Sequence, residues 1–113
     1  MSQSIGTAAE QQAASHLQKQ GLTLVESQAR CRAGELDLVM RDGDTWVFVE
    51  VKARRTEAFG GGLAAITVAK QQKLRRAASW YLQRQKATQQ PCRFDVVAVN
   101  LRNDDLTWIR NAF

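Results

Sequence analysis

The chain has two cysteines, one proline and one histidine in 113 residues, and no apolar run longer than four. Each shortage removes a class of protein. Cys31 and Cys92 are too few for a disulfide framework, and neither stands in a CxxC spacing suited to zinc or redox chemistry; both read as reduced bystanders. His16 has no second histidine and no cysteine beside it, so it reads as a surface or boundary residue. The longest apolar stretches, such as Trp46-Val47-Phe48-Val49, fall far short of the roughly 20 residues a membrane helix needs. The first residues, Met1-Ser2-Gln3-Ser4-Ile5, carry neither a basic stretch nor an apolar signal core, which makes the cytoplasm the expected compartment. Repeats and low-complexity tracts are absent too. With 44% hydrophobic and 24% charged residues, the chain reads as one globular domain over 1–113. Folding at this length buries roughly two thirds of the unfolded surface, enough for a core without disulfide or metal staples.

Acidic residues are scarce in one region. From Arg54 to Lys86 stand Arg54, Arg55, Lys70, Lys73, Arg75, Arg76, Arg84 and Lys86 against the single acid Glu57, a net +7 in a chain whose total is +5. A solvated helix face is one reading. The other is a phosphate-binding surface on a polyanionic partner, and the preponderance of arginine, whose planar fork matches phosphate, favours it.

The pattern of side chains predicts an α/β domain. Ser4 to Gln20 is rich in Ala, Gln, Leu, Glu and Lys, with Ile5, Ala9, Ala13 and Leu17 on one stripe, and is read as a helix closed by Gly21. Leu22 to Ala29 is read as a strand and Arg30 to Gly34 as a basic turn. Glu35–Met40 and Thr45–Lys52 flank Asp42-Gly43, the strongest hairpin signal in the chain. Gly60-Gly61-Gly62 marks a flexible loop, Thr67 to about Lys86 a helix with Leu74, Ala77, Ala78, Tyr81 and Leu82 on its packing face, and Pro91 a break. Arg93–Leu101 is an interior strand and Leu106–Ile109 a short edge strand. The order αβββαβ gives one mixed sheet with flanking helices, a mixed α+β domain.

Side chains alternate along a strand, so Glu35, Asp37, Val39 and Arg41 are expected on one face of the second strand, and Leu36, Leu38 and Met40 on the other. On the third strand Trp46, Phe48, Glu50 and Lys52 share a face. A loop at Asp42-Gly43 with Arg41 opposite Asp44 places Asp37 opposite Phe48, and Asp37 and Glu50 become diagonal neighbours with Cα atoms about 7–8 Å apart. Lys52 follows on the same face. Two carboxylates so placed can share a cation. The alternative is a half-exposed polar face on which Lys52 and Arg41 neutralise the acids. Asp95 is expected to pair with an arginine, and Trp46, Phe48, Trp80 and Trp108 to pack rather than stack on bases.

The string Gly34-Glu35-Leu36-Asp37-Leu38-Val39, then Arg41-Asp42-Gly43-Asp44, then Val47-Phe48-Val49-Glu50-Val51-Lys52, with Phe59-Gly60, Thr67-Val68-Ala69-Lys70 and Arg93-Phe94-Asp95-Val96-Val97, closely resembles a family of small bacterial proteins, the YraN or UPF0102 family. The match runs from about Ile5 to Asn100. That family in turn is similar to the PD-(D/E)xK nucleases, Holliday-junction resolvases above all, and to tRNA endonucleases. The resemblance implies a restriction-endonuclease-like core and a metal-dependent endonuclease acting on branched or structured nucleic acid. It implies Asp37, Glu50 and, from the first helix, Glu10 as ligands of Mg²⁺ or Mn²⁺, with Lys52 completing the catalytic set. Arg54, Arg55, Lys70, Lys73, Arg75 and Arg76 would hold nucleic acid, DNA before RNA, with no membrane partner and with a homodimer as the form suited to two symmetric cuts. Leu36 stands where the superfamily name has Pro, and Lys70 where many resolvases have glutamine. The alternative function is a non-catalytic nucleic-acid-binding protein that keeps the nuclease fold.

Overall fold

The structure, a computed structural model, describes residues 5–54 and 66–113, without the side chains of residues 5, 6 and 54. Arg55, the side chain of Arg54 and the Gly60-Gly61-Gly62 loop therefore lie outside what is described.

The elements follow the expected order: α1 (Ile5–Lys19), β1 (Thr23–Cys31), β2 (Gly34–Asp42), β3 (Thr45–Arg54), α2 (Val68–Arg84), β4 (Cys92–Asn100) and β5 (Leu106–Ile109). The five strands form one sheet in sequence order, antiparallel except for the parallel β3–β4 pair. That pair carries α2 as its crossover, since parallel neighbours need a long connection. Among the described residues no helix is long and apolar enough to cross a membrane.

Each helix covers one face of the sheet. On one side Ala9, Ala13 and Leu17 of α1, all fully buried, lie on Leu38, Met40, Val47, Val49, Val97 and Val99. The small residues let the helix sit close to the strands. On the other side Leu74, Ala77, Ala78, Tyr81 and Leu82 of α2, the face read from their spacing, lie on Leu36, Val39, Trp46, Phe48 and Phe94. α1 ends at the glycine, as expected: Gly21 takes φ +105, its N–H donates to the Gln18 carbonyl, and Leu22 N–H donates to the Leu17 carbonyl. This double closure satisfies carbonyls the helix end would leave bare, and Leu17 and Leu22 share a core cluster. α2 starts at Thr67, whose hydroxyl accepts from Lys70 N–H at 3.1 Å.

Three details depart from the reading of the sequence. β1 runs on to Cys31, so the turn shrinks to Arg32-Ala33. The β2–β3 loop is Gly43-Asp44, with Asp42 paired to Thr45 and Arg41 to Trp46, a register two residues away from the expected one. The observed turn puts Gly43 at its first central position with φ +60, and it keeps Asp42 in the strand, where its carboxylate accepts from Arg93 Nη1 at 2.9 Å. It also brings the Arg41 guanidinium over Trp46, 4.4 Å from the ring centre. A shift of two preserves the faces.

The third departure concerns Leu36. Expected beside Leu38 and Met40, it packs instead in the α2 cluster with Ala29, Val39 and Phe48, while Leu38 and Met40 face α1. Alternation therefore breaks at Asp37. On β1, between the paired Ser27 and Ala29, Gln28 has φ +52, a left-handed conformation that non-glycine residues seldom adopt and that turns the strand's pleat. The tip of the β1–β2 hairpin is thereby turned onto α2. Cys31 and Ala33 pack there, Tyr81 donates its hydroxyl to Glu26 at 3.0 Å, and a Cβ at Gly34 would sit 3.7 Å from the Lys73 stem.

Candidate functional site

The turning of the hairpin tip parts β2 from β3. Their backbone pairing stops at Leu38 and Val49, and the next step would set Asp37 opposite Glu50. Here a side chain takes over from the ladder: Asp37 Oδ2 accepts the Val51 N–H at 2.9 Å. The Asp37 and Glu50 side chains nonetheless meet where the ladder ends, since hydrogen bonding to Asp37 and the Asp37 charge both act on Glu50.

Glu50 is buried, with 7% of its surface exposed, and its Oε1 is buried without a hydrogen-bond partner. Oε2 lies 3.5 Å from the ammonium of Lys70, on the first turn of α2. Burial first, then hydrogen bonding to Asp37 and the Asp37 charge, push the Glu50 carboxyl up to about 7, against the opposing pull of Lys70 and Lys52. Lys52, two residues along β3, is half-buried.

Asp95 shows what a structural buried acid looks like in the same molecule. It is fully buried, and it accepts from Arg93 Nε at 3.1 Å, Trp108 Nε1 at 2.9 Å and Asn111 N–H at 2.9 Å, tying β5 and the residues after it to β4. Its pairing with an arginine was legible in the sequence. Glu50 has nothing comparable. A buried carboxylate oxygen without a donor is costly, and its neighbour is a second carboxylate.

Glu10 reaches the same region from α1. Its carboxylate accepts from Gln28 Nε2 at 3.0 Å, and burial followed by the Asp37 charge raises its pKa, with Gln28 pulling the other way and Glu35 adding to the rise. Glu10 and Glu50 each feel the Asp37 charge, but among the described residues no group of three His, Cys, Asp or Glu stands at metal-holding spacing. Glu35 is exposed at the rim, opposite Arg30. Asp37 and Glu50 fit a hard cation as two oxygen ligands. Mg²⁺ commonly takes one or two carboxylates and completes its shell with water and phosphate oxygens.

Of the basic residues singled out, Lys70 is at the site and Lys73 lines a cavity of about 150 Å³ that opens beside Asp37 and Glu35. Arg76 is exposed on α2. Arg75 also serves packing, its guanidinium lying 5.1 Å from the Phe94 ring centre and 5.5 Å from that of Phe113. His16 is a boundary residue edge-on to Trp108, as expected, and Trp46 and Phe48 are core. Two participants escape a reading of the sequence: Gln28 as the partner of Glu10, and Lys70 as the counter-ion of Glu50. Nothing in a strand-like sequence marks Gln28 for a left-handed backbone. The signal for Lys70 is its place one turn into a helix that must cross the β3 face bearing Glu50.

Known proteins give the chain its relatives. The sequence model of a family described as "Uncharacterised protein family UPF0102" matches residues 9–99. A UPF0102 protein of Stutzerimonas stutzeri (strain A1501) is 55% identical over 115 residues, covering 99% of this chain and 96% of its own. One from Nitrosomonas eutropha is 55% identical over 108 residues, covering 96% and 91%. Another, from Legionella pneumophila, is 45% identical over 114 residues, covering all of this chain and 97% of its own. With this coverage, the chain belongs to the UPF0102 family.

Proposed function

We propose that the protein is a metal-dependent endonuclease that hydrolyses phosphodiester bonds in branched or structured nucleic acid. The observation that carries this reading is the buried, donor-less Oε1 of Glu50 beside Asp37. With both carboxylates ionised such a pair is unfavourable, and a cation between them makes it favourable. A Mg²⁺ or Mn²⁺ ion held by Asp37 and Glu50 would supply charge stabilisation at the scissile phosphate and a more acidic water.

The chain's own groups do the rest. Hydrolysis requires water oxygen to attack phosphorus while one P–O ester bond breaks and its oxygen leaves as an alcohol. Lys52, one step past Glu50 on the same face, orients the water and offsets charge gathering on the phosphate oxygens. Glu10, held by Gln28, is the third acid near Asp37 and can accept a hydrogen bond from an ordered water. The exposed residues Lys73 and Arg76 of α2, with Arg75, hold flanking phosphates, which positions the strand without reading sequence. A four-way junction cut symmetrically calls for two copies of the chain, and DNA is the favoured partner.

One observation favours a non-catalytic nucleic-acid-binding protein: the lack of a three-ligand cluster among the described residues. The assay that decides is incubation of purified protein with Mg²⁺ or Mn²⁺ and labelled linear, flapped and four-way substrates. The endonuclease reading expects metal-dependent products from wild type and none from Lys52→Ala. Binding to these substrates with no metal-dependent product above the Lys52→Ala background would establish the binding protein instead.

A further inference from the structure

Lys70 has no partner of the quality its position invites. Its backbone is fixed, because its N–H caps onto Thr67, yet its side chain is 43% exposed and its ammonium stands 3.5 Å from Glu50 Oε2. Charge-assisted hydrogen bonds are usually about 2.7–2.9 Å. A pair selected for stability would resemble Asp95, whose two oxygens are both satisfied. Here the second Glu50 oxygen is orphaned.

The second observation is the space beside the pair. The cavity of about 150 Å³ is lined by Lys70 as well as by Gly34, Glu35, Asp37, Lys73 and Leu74. It is large enough for a tetrahedral anion, given that one water takes about 30 Å³ of liquid. The Lys70 side chain therefore borders two sites at once, the Glu50 carboxylate and this cavity. A lysine suits exchange between them better than an arginine, since it is a point charge with rotatable donors on a flexible stem.

We propose that Lys70 is an exchangeable counter-cation: its ammonium neutralises Glu50 while no divalent ion is bound, and turns into the adjoining cavity to hold a backbone phosphate once a divalent ion takes the carboxylate. The proposal rests on the endonuclease reading and adds to it a named phosphate subsite and the group that vacates the metal position. A monovalent ammonium at Oε2 and a divalent ion drawn to the orphaned Oε1 compete for the charge of one carboxylate, so removing the first strengthens binding of the second.

The test uses the full chain and calorimetric titration with Mn²⁺. Lys70→Gln should tighten Mn²⁺ binding roughly tenfold, the scale of a partly screened charge at this distance. Lys73→Gln, the same change of charge at a residue that does not pair with Glu50, should change it less than about twofold. In a Lys52→Ala background, Lys70→Gln should weaken binding of a labelled four-way DNA junction about tenfold in Mg²⁺ and leave it unchanged in EDTA, the effect of removing one charge-assisted hydrogen bond. Mn²⁺ binding unaltered by Lys70→Gln, or equal weakening of junction binding with and without Mg²⁺, overturns the exchange and leaves the endonuclease reading standing. Failure of every form to bind Mn²⁺ overturns both.

Discussion

Replacing Glu50 with glutamine should remove a pH dependence from the stability of the whole domain. The Glu50 carboxyl is pushed from 4.5 to about 7 in the folded protein by burial and by Asp37. The folded state therefore holds a proton that the unfolded chain has released between those two values. Linkage gives the sign: the contribution is fully present below pH 4.5 and is lost as pH rises through 7. At 1.36 kcal/mol per unit, the shift corresponds to about 3 kcal/mol. Little of this is screened, because only 7% of the residue is exposed. Glutamine keeps the shape, carries no charge and can donate to Asp37, so Glu50→Gln should match wild type near pH 4.5 and exceed it by about 3 kcal/mol at pH 8. For a domain of this size that is a difference of about 10 °C in melting midpoint. Thermal and urea melts in EDTA at intervals from pH 4.5 to 8 measure it. Parallel curves for the two proteins would refute the reasoning, because they would mean that Glu50 ionises in the fold as freely as in the unfolded chain.

Other expectations are as specific. At pH 8, Mn²⁺ should raise the wild-type melting midpoint and leave that of Asp37→Ala unmoved, since only a native-state ligand stabilises. Asp95→Ala should cost about 3 kcal/mol by urea denaturation, because Trp108, Asn111 and Arg93 lose a shared acceptor, with Asp42 still pairing Arg93; the midpoint shift on adding Mn²⁺ should survive it. Gly21→Ala should cost about 1 kcal/mol, read in the same assay, because φ +105 strains any side chain. Lys73→Ala with Arg76→Ala should weaken junction binding and lower the slope of log affinity against log salt by about two, one for each phosphate that is no longer neutralised.

Much of this was legible in the sequence because it depends on local periodicity. The α2 face from Leu74 to Leu82 follows from 3.6-residue spacing, the end of α1 from Gly21, and the common face of Glu50 and Lys52 from strand alternation. What the sequence hid was non-local. The Asp42-Gly43 pair announced a hairpin, but both Asp42-Gly43 and Gly43-Asp44 can form a two-residue loop, and the choice rests on Asp42 meeting Arg93 from β4. Leu36 was misplaced because alternation assumes a regular strand. Its break at Asp37 stems from Gln28 on the neighbouring strand and from the hold of α2 on the hairpin tip. That break opens the candidate site, so the least readable part of the fold is the part that brings the acids together. Glu10 feels the Asp37 charge, and its link through Gln28 required the three-dimensional course of β1.

The central claim is that Asp37 and Glu50 form a cation site, and paramagnetic broadening by Mn²⁺ in a ¹⁵N-labelled sample at pH 8 tests it most directly. The account predicts that substoichiometric Mn²⁺ erases the amide signals of Asp37, Glu50 and Val51 first, then those of Lys52 and Gln28, and that Glu50→Gln abolishes the effect. Broadening centred on Asp104-Asp105, or no selective broadening anywhere, would contradict it.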